Sequence, residues 1–292
     1  MSYTTVGGRI HGLSTTCGAD VDEYPHSVDN VVRRLHEHRM VESVIDEGTS
    51  MHLHIAHLYP AQMNIYGDRG NIIVLRQRSL WRGIDVTVDA IHPGASVDWS
   101  RYDLCFFGGG QDSGQALIAD DFVVRHGAEL RAALADGVVM LAICGGYQLL
   151  GNYFKTHAGQ TLPGIGALDV HTVGGTQRFI GNIAVTVDVP IAQRHCIGFE
   201  NHSGQTFLGS GARPLGTVIA GSGNNGSDKT EGAQVHNTFG CYLHGSFLPK
   251  NPQFADFLLS RALERRYGNA ELPPLDDRAE GAAQRVMLDR VR

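Results

Sequence analysis

The sequence predicts an α/β protein: an open, mainly parallel sheet with helices on both faces and a few antiparallel strands at one side. Two observations carry this. Strand-like and helix-like segments alternate from residue 53 onward, the order that builds parallel sheets with crossover helices. Residues 138–143, Val-Val-Met-Leu-Ala-Ile, are apolar throughout, as suits a central strand covered on both faces.

The elements follow in order. A first strand is expected over residues 53–59. A helix over 71–82 places Ile72, Leu75 and Leu80 on its buried side. Strands over 84–90 and 102–107 come next, the second ending in Gly108-Gly109-Gly110. Helical segments over 116–123 and 122–135 lead to the apolar strand 138–143. A helix over 145–154 starts at once. After Gly159 the pattern changes to short strands, 177–187, 195–200, 206–209, 215–220, 233–236 and 240–243, with Gly and Asn turns between them. Asn251 reads as the N-cap of a helix with Pro252 at its first position. That helix carries Phe254, Phe257, Leu258 and Leu263. Pro273-Pro274 breaks the chain before a last helical stretch over 275–290.

Residues 1–50 differ from the rest. They are polar, rich in His and acidic residues, and hold one plausible helix, capped by Ser27 with Val28, Val31, Val32 and Leu35 on one face. They read as an N-terminal extension. The expected division is 1–50 extension, 51–270 catalytic domain and 271–292 helical tail.

Composition narrows the function classes. A net charge of −6, from 24 basic and 30 acidic side chains, argues against a nucleic-acid surface. Five cysteines with no CxxC spacing exclude a zinc ribbon or a disulfide framework, so a reducing, cytoplasmic setting is expected. No apolar run reaches the length of a membrane span. His52 and His54 share a strand face, but no carboxylate or thiol accompanies them, so no metal site is expected. The 37 glycines exceed the ordinary share of about 7% and follow no collagen period. They call for tight turns and close backbone approaches.

The most informative segment is Val138 to Gly151. A buried strand ends at Cys144, Gly145-Gly146 follows, and a helix begins. A residue on such a turn is strained and exposed at the strand end, like the serine elbow of α/β-hydrolases. Cys144 then sits at a helix N-terminus, where the dipole favours a thiolate. The Gly145 N–H points at a developing oxyanion, and the Gly108–Gly110 turn is the candidate second donor. Cys105, mid-strand between Leu104 and Phe106, reads as core, as do Cys196 and Cys241; Cys17 carries no signal.

A cysteine nucleophile needs a base, usually histidine. Among 15 histidines, His244 is the best placed, because a short strand delivers it to a strand end where a loop begins. His202, in Phe199-Glu200-Asn201-His202, is the competitor. The segment 221–230 has glycines at phosphate-loop separation, but Ser227 stands where lysine must follow. ATP chemistry is therefore expected elsewhere than in this chain.

Together these motifs resemble class I, triad-type glutamine amidotransferases of the cobyric acid synthase type. The more specific likeness is to the GatD family, the glutaminase subunits of lipid II isoglutaminyl synthase. It is carried by His57-Leu58-Tyr59-Pro60, Asn64-Ile65-Tyr66-Gly67-Asp68-Arg69-Gly70-Asn71, Trp81-Arg82-Gly83-Ile84, Gly108-Gly109-Gly110-Gln111-Asp112, the Cys144 elbow, Thr176 to Asn182, Phe199 to His202 and Tyr242-Leu243-His244-Gly245. It covers about residues 52–265.

The resemblance implies that L-glutamine is hydrolysed to glutamate and ammonia, with Cys144 forming a thioester and His244 moving the proton. It implies that Arg178 binds substrate, holding the α-carboxylate in a guanidinium fork. Gly109, Gly145, Gln148 and Asn201 are the further expected substrate contacts. It implies a Mur-ligase-like partner in a heterodimer. The partner would hold ATP and Mg, with no cofactor in this chain, and would amidate D-glutamate of the lipid II stem peptide to D-isoglutamine. One position departs: many amidotransferases place glutamate two residues after the histidine, and here that residue is Ser246. Glu200 is one expected substitute; a carboxylate from the partner is the other. Alternative readings are a glutaminase for another synthetase, such as one amidating cobyrinic acid, a non-catalytic binding homologue, or a cysteine hydrolase of another kind.

Overall fold

Strand β1 (His52–Leu58) runs through a short 3-10 turn, Ile65–Gly67, into helix α1 (Arg69–Leu80), in a computed structural model that describes residues 51–268 and 271–291. Then come β2 (Asp85–Ile91), β3 (Leu104–Phe107), α2 (Asp112–Asp120), a π-helical turn (Asp121–His126), α3 (Gly127–Ala135), β4 (Val139–Ile143) and α4 (Gly145–Leu150). The second half holds β5 (Tyr153–Lys155), β6 (Thr161–Pro163), β7 (Val170–Val187), β8 (His195–Leu208), β9 (Gly216–Ala220), β10 (Thr230–Glu231), β11 (Ala233–Val235) and β12 (Thr238–Cys241). Helices α5 (Phe247–Lys250), α6 (Pro252–Tyr267) and α7 (Arg278–Val291) close the chain. The helix expected behind Ser27, and Cys17, lie outside the described residues.

The main sheet has the order β11-β12-β4-β3-β1-β2, parallel except for the edge strand β11. Every residue of β3 and β4 is buried, because helices cover both faces at the centre of the sheet. Register aligns the strand ends. Leu58 pairs with Phe107, Phe107 with Ala142, and Ile143 with Cys241. The segments leaving β1, β3, β4 and β12 therefore emerge side by side. Open α/β sheets bind ligands at this edge.

The strands after Gly159 do more than edge the main sheet. They form a second sheet, β10-β9-β7-β5-β6, with β8 paired to β7. The expected strands 195–200 and 206–209 merge into the single strand β8, because Gly198 and Gly204 are not turns. A Cβ on Gly198 would lie 2.9 Å from Leu243 Cβ, and one on Gly204 would lie 2.5 Å from Gln148 Nε2. Glycine here lets β8 pack against the main-sheet segment that carries His244. Helix α4 stops at Leu150 instead of continuing to 154. Gly151 turns extended, and Tyr153–Lys155 pairs with β6 and β7 instead.

Asn251 departs from expectation as well. Its side chain does not cap α6. It reaches across to β8, accepting from the Ile197 N–H (2.9 Å) and donating to the Ile197 carbonyl (2.8 Å). Helix α7 lies over the second sheet. Leu288 packs with Ala184 and Ile197, and Gln284 donates to the His195 carbonyl. Buried Arg78 ties the approach to α7 down through paired hydrogen bonds to Asp256 and Asp277.

Candidate active site

Four neighbouring strands deliver one component each. The turn after β1 brings Asp68, β3 brings the triglycine, β4 brings Cys144, and β12 leads to His244. Cys144 has φ 48° and ψ −103°, a strained conformation for a residue with a Cβ. Its N–H donates to the Cys241 carbonyl (2.8 Å), and its own carbonyl accepts from Gln148 N–H (2.9 Å). The elbow is thus fixed on both sides while the side chain stands at the helix start. Cys105, Cys196 and Cys241 are buried and their thiols are pushed up by desolvation. That is the chemistry of inert core cysteines.

His244 is wholly buried. An antiparallel bridge to Phe199 pins its backbone, with His244 N–H donating to the Phe199 carbonyl (3.0 Å) and the reverse bond at 3.1 Å. Its imidazole interacts with Cys144 and faces Asp68, with Nδ1 3.5 Å from Oδ2. Burial opposes the imidazolium. The Cys144 sulfur and the Asp68 carboxylate outweigh burial and hold the imidazole well above its usual range. Asp68 is also wholly buried, and its Oδ2 accepts the Gly109 N–H at 2.7 Å. A Cβ on Gly109 would fall 2.6 Å from His244 Cε1 and 3.0 Å from that oxygen, so the His–Asp pair passes directly over the glycine. A distance of 3.5 Å exceeds a formed hydrogen bond, but catalytic pairs commonly tighten only around substrate.

Ser246 explains how Asp68 arrives. The Ser246 hydroxyl donates to the Gly67 carbonyl, and Lys250 Nζ donates to the carbonyls of Gly245 and Ser246. Asn71 Oδ1 accepts the Leu248 N–H (2.8 Å). The loop after His244 is therefore sewn to the turn that carries Asp68. The residue that fails to supply a carboxylate instead docks the one that does.

Glu200 is corrected as a triad candidate. Its carboxylate turns into the 221–224 loop, accepting from Ser222 N–H (2.8 Å) and Gly223 N–H (2.9 Å). His202 is corrected as a base. Its Nδ1 meets the Gly204 carbonyl (2.7 Å), its ring stacks on Tyr242 at 3.6 Å, and burial lowers its pKa to about 4. Within the Gly108–Gly110 turn expected to hold the second oxyanion donor, the Gly109 N–H is taken by Asp68. Gly110 is better placed: its nitrogen lies 2.9 Å from where a Gly145 Cβ would be, and neither N–H has an acceptor among the described residues. Gln148 is buried with its carboxamide already held, accepting from Gln115 (2.9 Å) and donating to Tyr242 (3.1 Å).

Arg178 is exposed on a bulge. Between the pairs Gly174–Gly204 and Phe179–His202, β7 spends more residues than β8, which bends the strand and re-aims a side chain. Its Nε donates to Asn201 Oδ1 (2.7 Å) and its Nη2 to the Tyr66 hydroxyl (3.4 Å). Asn201 Nδ2 donates to the same hydroxyl (2.8 Å). The Tyr66 ring stands edge-on to His244, with centroids 5.0 Å apart. Sequence reasoning missed Asp68 and Tyr66, although both lie in the Asn64–Asn71 motif it singled out.

Beneath the site, Glu231 is wholly buried and accepts the Tyr242 N–H at 2.6 Å. Burial pushes its carboxyl up from 4.5 to about 8. The folded chain thus holds this proton more tightly than the unfolded chain, so stability falls as pH rises from 4.5 towards 8. Glu231→Gln mimics the protonated acid and removes that dependence. Between pH 5 and 8.5 the wild type is expected to lose more thermal stability than the variant, by an amount on the order of a few kcal/mol. Parallel Tm curves would contradict this.

Fold and site define a class: an amidohydrolase of the triad-type architecture, with a strained cysteine on a strand–turn–helix elbow and a buried His–Asp pair beside it. Residues 54–252 match the CobB/CobQ-like glutamine amidotransferase domain. The chain belongs to this family, in its GatD branch. It is 42% identical over 77% of its length to the glutamine-hydrolyzing subunit GatD of lipid II isoglutaminyl synthase from Streptococcus pneumoniae, covering 86% of that protein. With the Staphylococcus aureus counterpart it shares 41% identity over 82% of this chain and 96% of that one. A cobyric acid synthase of Pelotomaculum thermopropionicum is more distant, at 33% identity over 56% of this chain and 33% of its own. Among the described residues, no helix is long and apolar enough to cross a membrane.

Proposed function

We propose that this chain is the glutaminase subunit of a two-part, ATP-dependent ligase that converts D-glutamate in the lipid II stem peptide to D-isoglutamine. The observation that carries the hydrolytic step is the alignment of Cys144, His244 and Asp68 at adjacent strand ends. Cys144 Sγ attacks the side-chain carbonyl carbon of L-glutamine. His244 accepts the thiol proton, and the N–H groups of Gly145 and Gly110 receive the oxyanion. The tetrahedral intermediate collapses as His244 returns the proton to the departing ammonia, leaving a thioester. Water, deprotonated by His244, then releases glutamate and the thiol. Asp68 holds the imidazole orientation and stabilises its cation throughout. Arg178 and Asn201 face the amino-acid end of the substrate; Gln148 fixes the floor through Gln115 and Tyr242.

The ammonia passes to a Mur-ligase-like partner, which holds ATP and Mg and activates the acceptor carboxylate. The likeness to GatD subunits over most of the chain supports this partner and a cytoplasmic setting. Residues 51–270 form the catalytic domain, with 1–50 an extension and 271–292 a tail. The test is co-purification with that partner and assay of glutamate release together with glutamine-dependent amidation of lipid II. Coupled formation of both products is expected. Glutamate release with amidation of a cobyrinic acid instead would redirect the acceptor assignment, and no glutamate release would overturn the reading.

A further inference from the structure

The Tyr66 hydroxyl is placed to do more than pack. It accepts from Asn201 Nδ2 (2.8 Å) and faces Arg178 Nη2 (3.4 Å). Its own hydrogen has no acceptor among the described residues. Arg178 donates Nε to Asn201 and Nη2 to that hydroxyl. The result is one polar cluster, the Arg178 guanidinium and the Tyr66 hydroxyl, at an exposed position beside the catalytic pair (Tyr66 is 43% exposed). The same tyrosine ring contacts His244 edge-on. It therefore spans the distance between the reacting centre and the cationic anchor.

The backbone supports a dedicated role. Tyr66 has φ 54° and ψ 26°, a left-handed conformation that is unfavourable for a non-glycine residue. It is held there by Ile65 N–H on the Gly109 carbonyl (3.2 Å) and Arg69 N–H on Asn64 Oδ1 (2.8 Å). A strained residue kept in place by its surroundings, with its polar end aimed at the site, is expected at ligand clamps.

We propose that Tyr66 is a substrate-binding residue: its hydroxyl donates to the α-carboxylate of glutamine held by Arg178, so that the site selects a free amino acid over an amide within a peptide. This rests on the glutaminase reading above. A hydrogen bond to a charged group is stronger than one between neutral groups. Tyr66→Phe keeps the ring against His244 and removes the donor.

The experiment measures glutamine hydrolysis in the complex with the synthetase partner for wild type, Tyr66→Phe, Arg178→Gln and the double variant. KM for Tyr66→Phe is expected to rise by roughly 10-fold or more, with kcat changed much less. In the Arg178→Gln background the further effect of Tyr66→Phe is expected to shrink severalfold, since the carboxylate is no longer held there. An unchanged KM in Tyr66→Phe, a loss confined to kcat, or an undiminished effect in the double variant would overturn the proposal. An unchanged KM in Arg178→Gln alone would instead refute the placement of the α-carboxylate. Absence of hydrolysis in the wild type would refute the glutaminase reading itself.

Discussion

Cys144→Ala is expected to lower glutamine hydrolysis by at least about 10⁴-fold, the scale seen when a covalent nucleophile is removed. The loss should fall on kcat. The polar contact that alanine removes is the one with the His244 imidazole; the elbow itself is held through backbone bonds to Cys241 and Gln148. Thermal stability should therefore stay near that of the wild type, and glutamine should still bind. The other described cysteines supply an internal control. Cys105, Cys196 and Cys241 are buried thiols pushed up by desolvation, so an electrophilic glutamine analogue should label Cys144 and spare those three. Turnover retained in Cys144→Ala, or labelling that survives the substitution, would show that the nucleophile lies elsewhere.

Asp68→Asn should lower kcat by roughly 10²–10⁴-fold, the range for losing the carboxylate that orients a catalytic histidine. Asparagine can still accept the Gly109 N–H, so the turn should keep its shape. What is lost is the negative charge 3.5 Å from His244 Nδ1. Without it the imidazolium is less stable in a fully buried position, and the pKa that Cys144 and Asp68 together hold high should drop. The pH–rate profile of kcat should therefore shift along with the rate. The measurement belongs in the assembled complex, because the alternative source of a carboxylate is the partner. Activity within about fivefold of wild type would exclude Asp68 and favour a carboxylate supplied across the interface.

These two residues differ in how they could be found. Cys144 was legible from local pattern alone: an apolar strand, a cysteine, two glycines and a helix specify an elbow without any long-range information. His244 needed one further inference, that a nucleophile wants a base at a neighbouring strand end. Arg178 needed the family likeness, because a bulge in a long hairpin leaves no mark in the sequence beyond Gly174 and Gly175. Asp68 was missed. The expectation looked two residues past His244, at Ser246, and then to Glu200 or the partner, whereas the contact is made by a turn 176 positions away. Ser246 and Gly67, separated by 179 residues, are what close that gap.

Periodicity and local motifs were enough to specify the alternating architecture, the central buried strand, the strained Cys144 elbow and the family. Each of these depends on side-chain periodicity, backbone preference or a motif within a few residues, which a linear reading can see. The Asp68–His244 contact, the Gly110 N–H unpaired among the described residues and the Tyr66–Arg178–Asn201 cluster became visible only in the folded chain. Those depend on which strand ends lie side by side and in what register. That order is set by burying both faces of one sheet and docking a second sheet against it, not by any neighbouring pair of residues.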